Sequence, residues 1–366
     1  MNATWQVIIF KNTFRFVLAS VLLAACAAPP ATPAQAEPEQ GSLATPVSSS
    51  TQAATSQLMQ NGSQTSRVYF CQENPQFADA QFKWRSFDVY AIRSDGSGKS
   101  ALTSNTDKDV SYTALSISPD GTMLAFARMQ LNRERGVLIS HLYVMNTDGT
   151  SMKKVGSEPV ADNQNEVADY LYETSPAWSA DGKMLAFVSN RHTFMPGERN
   201  HDALEIFTLT LESGLVKQVT FSKGFIDRPS WSPDDQQIAF MSNRTGYWNI
   251  FTMSADGSGE AVNLTSSPSA ERWPAWSPDG ERIAFHSNQP GSLDVYTIRP
   301  DGGGLTRVTD YPGNDFSPVW SPDGGWLAFL SDMGGTDEIY LRDLESGSTF
   351  QLTTDGTPKA WIAWGR

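Results

Sequence analysis

One short phrase recurs along the chain and constrains the fold more than any other feature. Its clearest copy is Trp-Ser-Pro-Asp-Gly at 276–280, and close variants occupy 117–121, 178–182, 231–235 and 320–324. Each copy follows one strand-like segment and precedes another, such as Ile-Ala-Phe at 283–285. Proline suits the second position of a type I turn, aspartate bonds to turn backbone, and glycine accepts the positive φ of a bulged hairpin. The phrase therefore predicts a β-hairpin that occurs five times.

The spacing of the phrase predicts the architecture. Trp276, Trp320 and Trp364 follow one another at intervals of about 44 residues, and each interval contains four short strand-like pieces separated by turn-forming residues. Four short strands per repeat of this length are typical of a β-propeller blade. Complete units begin near residues 110, 173, 227, 271 and 316. The chain is therefore predicted to be all-β, with five complete blades.

The two ends of the repeat region supply a sixth blade. Residues 361–364 match a first strand with no partner after it, whereas residues 67–70 match a second strand with no first strand before it. If the C-terminal strand pairs with the three-stranded N-terminal blade, the ring closes and leaves no open sheet edge. The prediction is a six-bladed propeller over residues 67–366.

These repeats resemble those of the TolB-type β-propeller. The resemblance rests on the Trp-Ser-Pro-Asp-Gly turns, the Ile-Ala-Phe segments and the Asp-Gly-Ser-Gly turn at 256–259. In TolB the propeller binds a peptidoglycan-associated lipoprotein in the periplasm, so the resemblance implies a protein- or peptide-binding scaffold outside the cytoplasm. The residues before the propeller do not have the pattern of TolB's α/β domain, and a tether is expected in its place.

The first residues predict export and a lipid anchor. Lys11 and Arg15 precede an apolar run that ends in Leu-Ala-Ala-Cys at 23–26, which resembles the lipobox of bacterial lipoproteins. The resemblance implies a signal peptide over 1–25 and a lipid on Cys26, which would hold the protein on a bacterial membrane at its periplasmic or extracytoplasmic face. Residues 26–66 are rich in Ala, Pro, Ser, Thr and Gln, so a flexible tether is predicted there.

The net charge limits the classes of partner that are expected, and the cysteine content limits the disulfides. The net charge is −13, and because the two cations and two anions of residues 1–66 cancel, all of it belongs to the predicted propeller. So acidic a domain repels phosphate, which argues against nucleic acid as a partner. The second cysteine, Cys71, lies in a predicted strand and is interpreted as a buried thiol. A monomer without cofactor is expected.

A binding face can be predicted from the loops. In an antiparallel blade, the loops between second and third strands share one face of the disc with the connections between blades. Three of these segments are longer than their counterparts, at 129–137, 156–172 and 191–203.

Acidic residues with basic or aromatic neighbours precede several first strands, and we expect them to ring the channel mouth on that face and to bind a partner: Glu173, Asp227, Arg228, Glu271, Arg272, Trp273, Asp315 and Phe316. Arg228 and Arg272 suit carboxylates, and Trp273 and Phe316 suit flat apolar groups.

Catalysis is less well supported. The four histidines, His141, His192, His201 and His286, are scattered and match no closed metal motif, and no Gly-x-Ser-x-Gly nucleophile turn is present. We expect no catalytic residues and no bound metal. The alternative is a carbohydrate-active enzyme of the oligogalacturonate-lyase type, whose propeller holds a divalent metal; metal content would separate the two.

Overall fold

A computed structural model of the protein describes residues 66–77, 84–156, 171–191, 204–222, 224–289 and 291–366. Within these ranges, 24 strands form six four-stranded antiparallel sheets, with one turn of 3-10 helix at Pro75–Phe77. Each sheet is one blade. Its innermost strand contacts the innermost strands of both neighbouring blades, and these contacts continue around the full circle. The prediction of an all-β six-bladed propeller is confirmed.

The strands follow one another from the centre of each blade to its edge. Blade 1 contains β24 (Lys359–Gly365), β1 (Arg67–Glu73), β2 (Phe87–Arg93) and β3 (Ser100–Ala101). Blade 2 contains β4 (Val110–Ile117), β5 (Met123–Asn132), β6 (Val137–Asn146) and β7 (Lys153–Lys154). Blade 3 contains β8 (Glu173–Trp178), β9 (Met184–Ser189), β10 (Glu205–Thr210) and β11 (Val216–Gln218).

The remaining three blades have the same order. Blade 4 contains β12 (Ile226–Trp231), β13 (Gln237–Ser242), β14 (Asn249–Ser254) and β15 (Val262–Asn263). Blade 5 contains β16 (Glu271–Trp276), β17 (Ile283–Ser287), β18 (Asp294–Ile298) and β19 (Thr306–Arg307). Blade 6 contains β20 (Asp315–Trp320), β21 (Trp326–Ser331), β22 (Glu338–Asp343) and β23 (Thr349–Gln351).

Blade 1 joins the two ends of the repeat region. The last strand, β24, pairs antiparallel with β1, and the register places Trp364 opposite Val68 and Ile362 opposite Phe70. The other edge of β1 pairs with β2, so both edges of β1 are hydrogen-bonded within the blade. This pairing gives blade 1 the same four-stranded order as the other five.

The repeated turn folds as its residues predict. In the copy at 277–280, the Ser277 hydroxyl donates to the Asp279 carboxylate over 2.5 Å, and the Gly280 amide donates to the Ser277 carbonyl over 3.0 Å. Gly280 has φ +75°. The serine hydroxyl lowers the pKa of Asp279, so the carboxylate is ionised as an acceptor at neutral pH.

A repeated aromatic pair forms the core between blades. One phenylalanine from each second strand has at most 1% of its surface exposed: Phe70, Phe126, Phe187, Phe240, Phe285 and Phe329. Each stacks on an aromatic ring of the third strand at centroid distances of 5.8–6.2 Å. Because every blade repeats this layer, burial of these rings stabilises the whole disc.

One loop prediction is wrong. Residues 129–137 were expected to form a long loop, but β5 continues to Asn132, β6 begins at Val137, and these two residues are opposite each other in the register. The alternating burial of Met129 and Leu131 shows the reason, since a two-residue period extends the hairpin.

Other predictions fall partly or wholly outside the described ranges. The signal peptide, Cys26, the tether, His192, His201 and most of the segments at 156–172 and 191–203 lie there. Cys71 is described, is fully buried in β1 and has a pKa raised by that burial, as expected for an inert thiol. No helix within the described part of the chain is long and apolar enough to cross a membrane.

Candidate binding site in the central channel

Each innermost strand carries one residue in the left-handed backbone region, with φ between +45° and +57°. These residues, called the inner ring, are Ala114, Ser175, Arg228, Trp273, Ser317 and Trp361. In blades 2 to 6 the register with the second strand shifts at the inner-ring residue, as in a β-bulge. A bulge re-aims a side chain, and all six inner-ring residues line the central channel.

The channel contains a cavity of about 220 Å³ lined by all six blades. Its wall is uneven. Three inner-ring residues, Ala114, Ser175 and Ser317, have small side chains, whereas the other three are Arg228, Trp273 and Trp361. Around the channel the order is Trp361, Ala114, Ser175, Arg228, Trp273 and Ser317, so Arg228 and Trp273 are neighbours and Trp361 belongs to the blade opposite Arg228.

Arg228 is held by contacts that leave its hydrogen-bond donors free. The centre of its guanidinium lies 4.6 Å from the Trp273 ring, which is a cation–π contact. Its only ion pair among the described residues is with Asp227, at 4.0 Å from Nε to Oδ2, which is too long for a hydrogen bond. The other oxygen of Asp227 accepts from the Ser175 hydroxyl over 2.6 Å and from the Arg228 amide over 2.7 Å.

An aromatic stack continues from Trp273 towards blade 6. The Trp273 ring lies 5.2 Å from His286, and His286 contacts Phe316 edge-on at 6.4 Å. The Ser317 amide donates to His286 Nδ1 over 3.2 Å, so the proton of the neutral imidazole is on Nε2. Burial, together with Arg272 and Arg228, lowers the pKa of His286 to about 3. His286 is therefore uncharged at neutral pH.

Arg272 is the second cation near this stack. Its guanidinium lies 5.3 Å from the Trp248 ring, and β16 places it opposite His286 in the register. Burial lowers its pKa, and no carboxylate of the described residues forms an ion pair with it. Its Nε is buried without a hydrogen-bond partner, as is that of Arg228. Two arginines with unused donors thus lie close together in a strongly acidic protein.

The acidic residues predicted for the rim lie elsewhere. Glu173, Glu271 and Asp315 are each at most 2% exposed and occupy the seams between blades. Each lies beside a residue on the third strand of the preceding blade, and these three residues hold equivalent positions in their blades. The pairs are Glu173 with His141 at 3.8 Å, Glu271 with Asn249 at 2.9 Å, and Asp315 with Asp294. The first strand of a blade starts against its neighbour, which buries its first side chain. The expectation of an exposed acidic ring is therefore wrong for these three residues.

The predicted rim thus divides into two groups. Four residues are half-buried: Arg228 and Trp273, which line the channel, and Asp227 and Arg272, which directly precede them in the chain. Phe316 and the three seam acids are buried, with Phe316 against His286. The remaining described histidine, His141, pairs with Glu173 in a seam, which agrees with a structural role. Among the residues that the structure describes, no three His, Cys, Asp or Glu side chains are grouped to hold a metal ion.

Four inner-ring residues were missed by sequence reasoning: Ala114, Ser175, Ser317 and Trp361. Ser175 orients Asp227, and Trp361 forms part of the cavity wall. A signal exists for Ser175 and Ser317, because four of the six inner-ring residues directly precede a proline, but Ala114 and Trp361 do not. His286 was noted but given little weight, since its strand position alone indicates a core residue.

Comparison with known proteins supports the fold. Residues 259–364 match the family described as TolB beta propeller domain. The chain is 30% identical over 129 residues to an uncharacterized peptidase, YuxL, of Bacillus subtilis, and 30% identical over 166 residues to a TolB homolog of Chlorobium luteolum. These matches span 35% and 45% of this chain, but only 17% and 31% of the relatives.

Solved structures resemble the propeller over most of its length. TolB from Acinetobacter baumannii matches with a TM-score of 0.65 at 19% identity, over 83% of this chain and 67% of that one. An oligogalacturonate lyase in complex with manganese matches with a TM-score of 0.50 at 14% identity, over 73% of this chain and 70% of that one. At these identities the likeness concerns the fold, which is that of a TolB-like propeller.

Proposed function

We propose that this protein is a binding scaffold in the cell envelope, which recognises a protein or peptide at the channel mouth. The observation that carries the proposal is the group formed by Arg228, Arg272 and Trp273. Arginine and tryptophan are the residue types that contribute most binding energy at protein interfaces. Here both arginines are half-buried and have donors that the described residues do not use.

Rigidity supports a scaffold role. The site residues lie on β12 and β16, and not on loops, and each is fixed by stacking or by the backbone bulge. A partner that binds such a surface loses little conformational freedom of the receptor, so more of the contact energy contributes to affinity. The lipidated Cys26 and the tether would place this surface at a distance from the membrane.

Cross-linking in native envelopes tests the proposal. We expect the unmodified protein to capture a partner, and Arg272→Glu to reduce the yield at least tenfold, because a carboxylate would replace a cation of the site. The matched control is Lys183→Glu, which makes the same charge change at an exposed hairpin turn on the opposite face. Equal loss in both variants, or no loss in Arg272→Glu with an unchanged melting temperature, would contradict the proposal. Cys26→Ser, followed by membrane fractionation, tests the anchor separately.

The enzyme alternative has its own test. The manganese-bound lyase has the same type of propeller, although the likeness extends to the fold alone. Purified protein is analysed for manganese and zinc, and assayed on oligogalacturonate before and after chelation. Stoichiometric metal together with activity that chelation abolishes would replace the scaffold proposal by the enzyme.

A further inference from the structure

The inner-ring cation has fewer partners than a half-buried arginine requires. A guanidinium carries five N–H donors, and transfer out of water leaves each unpaired donor at a cost. Among the described residues Arg228 forms an ion pair only with Asp227, whose Oδ1 already accepts two hydrogen bonds and whose Oδ2 lies 4.0 Å from Nε. Trp273 covers one face of the guanidinium but offers no acceptor. The donors on its edge therefore remain available to a ligand in the cavity.

The surroundings strengthen the positive potential. Arg272 and Arg228 both lie close enough to His286 to lower its pKa, so the two cations are close to the same side chain. Asp227 offsets one of the two charges, and Glu271, the seam acid next to Arg272 in the chain, is held by hydrogen bonds from Asn249 and Ser287. In a chain with net charge −13, this is a local excess of positive charge. An anion is the ligand that it favours.

The size and lining of the cavity limit the ligand further. Its volume of about 220 Å³ equals that of about seven water molecules. This holds one amino-acid residue and not a folded domain. Trp273 lines the wall beside Arg228, and Trp361 lines it in the opposite blade; these two aromatic rings suit an apolar stem and not a fully hydrated inorganic ion.

We propose that the channel receives a single carboxylate-bearing residue of the partner, with the carboxylate on Arg228 and the stem of the residue in the space between Trp273 and the Trp361 ring across the channel. The inference rests on the proposed scaffold function and specifies how the partner is recognised. The carboxylate comes either from the end of a polypeptide or from an aspartate or glutamate side chain. Both sources offer the planar pair of oxygens that a guanidinium binds with two parallel hydrogen bonds.

Peptide pools of defined chemistry distinguish the sources. Three pools of N-acetylated tetrapeptides are used: one with free carboxyl ends and no acidic side chain, one identical but amidated, and one amidated with a single aspartate. Binding is followed on the full-length ¹⁵N-labelled protein through the Nε–H signal of Arg228. A shift with the first pool alone assigns a chain end, and a shift with the third assigns a side chain. No shift with either, or equal binding of the amidated acid-free pool, overturns the inference.

Two variants measure how much Arg228 contributes to binding. Arg228→Gln removes the charge and is expected to weaken binding of the responding pool at least tenfold, as expected for a lost hydrogen bond between charged groups. Arg299→Gln, at an exposed turn, is the control and leaves binding unchanged. If Arg228→Gln does not fold, the signal of the unmodified protein still decides. A partner that is captured equally by the unmodified protein and by folded Arg228→Gln would refute the carboxylate and leave the scaffold function standing.

Discussion

Replacing Asp315 by asparagine should stabilise the protein at neutral pH. Asp315 is fully buried in the seam between blades 5 and 6, and neither of its carboxylate oxygens accepts a hydrogen bond of normal geometry. Its neighbour across the seam is Asp294, which carries the same charge and is also buried. The seam between blades 4 and 5 is arranged differently, because Asn249 donates to Glu271 over 2.9 Å. An asparagine at 315 would give the seam between blades 5 and 6 one carboxylate and one amide, as in the seam between blades 4 and 5.

The magnitude follows from the pKa. Burial is the main cause that raises the pKa of Asp315 from 3.8 to about 6, and Asp294 adds to it, while the Ser331 and Thr309 hydroxyls offset part of the rise. The folded protein therefore holds this proton more tightly than the unfolded chain, and ionisation destabilises the fold. A shift of about two pKa units corresponds to about 3 kcal/mol at pH 7 to 8. The penalty is absent below pH 3.8 and grows until the pH passes about 6.

Urea unfolding of both proteins between pH 4 and 8 measures this effect. We expect Asp315→Asn to gain up to about 3 kcal/mol at pH 8 and less than about 1 kcal/mol at pH 4. Asp310→Asn removes one nearby negative charge at an exposed position and should change stability by less than about 0.5 kcal/mol at either pH. A gain for Asp315→Asn that is independent of pH, or a loss at pH 8, would refute the reasoning.

Two further predictions concern close packing and charge. Gly149 has φ +88°, and an added Cβ would lie 2.7 Å from the Leu102 carbonyl oxygen, whereas Gly136 has φ +64° with open space around it. Gly136→Ala should cost about 1 kcal/mol and Gly149→Ala at least about 2 kcal/mol more, and equal melting temperatures would contradict this. Glu338→Gln removes the charge of one of the two carboxylates paired with the fully buried Lys359 ammonium, the other being Asp355 at 2.5 Å, so it should cost about 2 kcal/mol in urea unfolding. A cost below 1 kcal/mol would show that the remaining contacts of Lys359 suffice.

The fold was predictable because the repeat carries its own register. The hydrogen bonds of the Ser-Pro-Asp-Gly turn fix the hairpin, and the continuous apolar run Ile283, Ala284 and Phe285 indicates a strand buried on both faces. The blade between the two ends followed from the match of 361–364 to a first strand. One turn departs from the pattern at Asp235, which has φ +58° where four other turns have glycine. Its carboxylate accepts two backbone N–H groups of blade 3, a contact between repeats that no local pattern shows.

The site was predictable only in part, because contacts between blades decide which side chains reach the channel. Arg228 and Trp273 were expected at the channel, and they line it. Glu271 precedes Trp273 by two residues on the same strand, yet it is buried in a seam. The difference depends on the backbone bulge, which turns the third residue of the strand inwards. A proline follows the bulged residue in four blades, but the sequence alone does not tell that this proline marks a bulge.

The pairing of β24 with β1 affects how the protein must be made. Phe70 lies opposite Ile362, so the innermost place in blade 1 stays empty until almost the whole repeat region has been synthesised or threaded through a translocation channel. Until then β1 exposes a hydrogen-bonding edge next to unburied aromatic rings, which is the kind of surface that attracts other unfinished chains. A holding chaperone at the site of synthesis or export would therefore protect this edge, and release from it would coincide with arrival of the final strand.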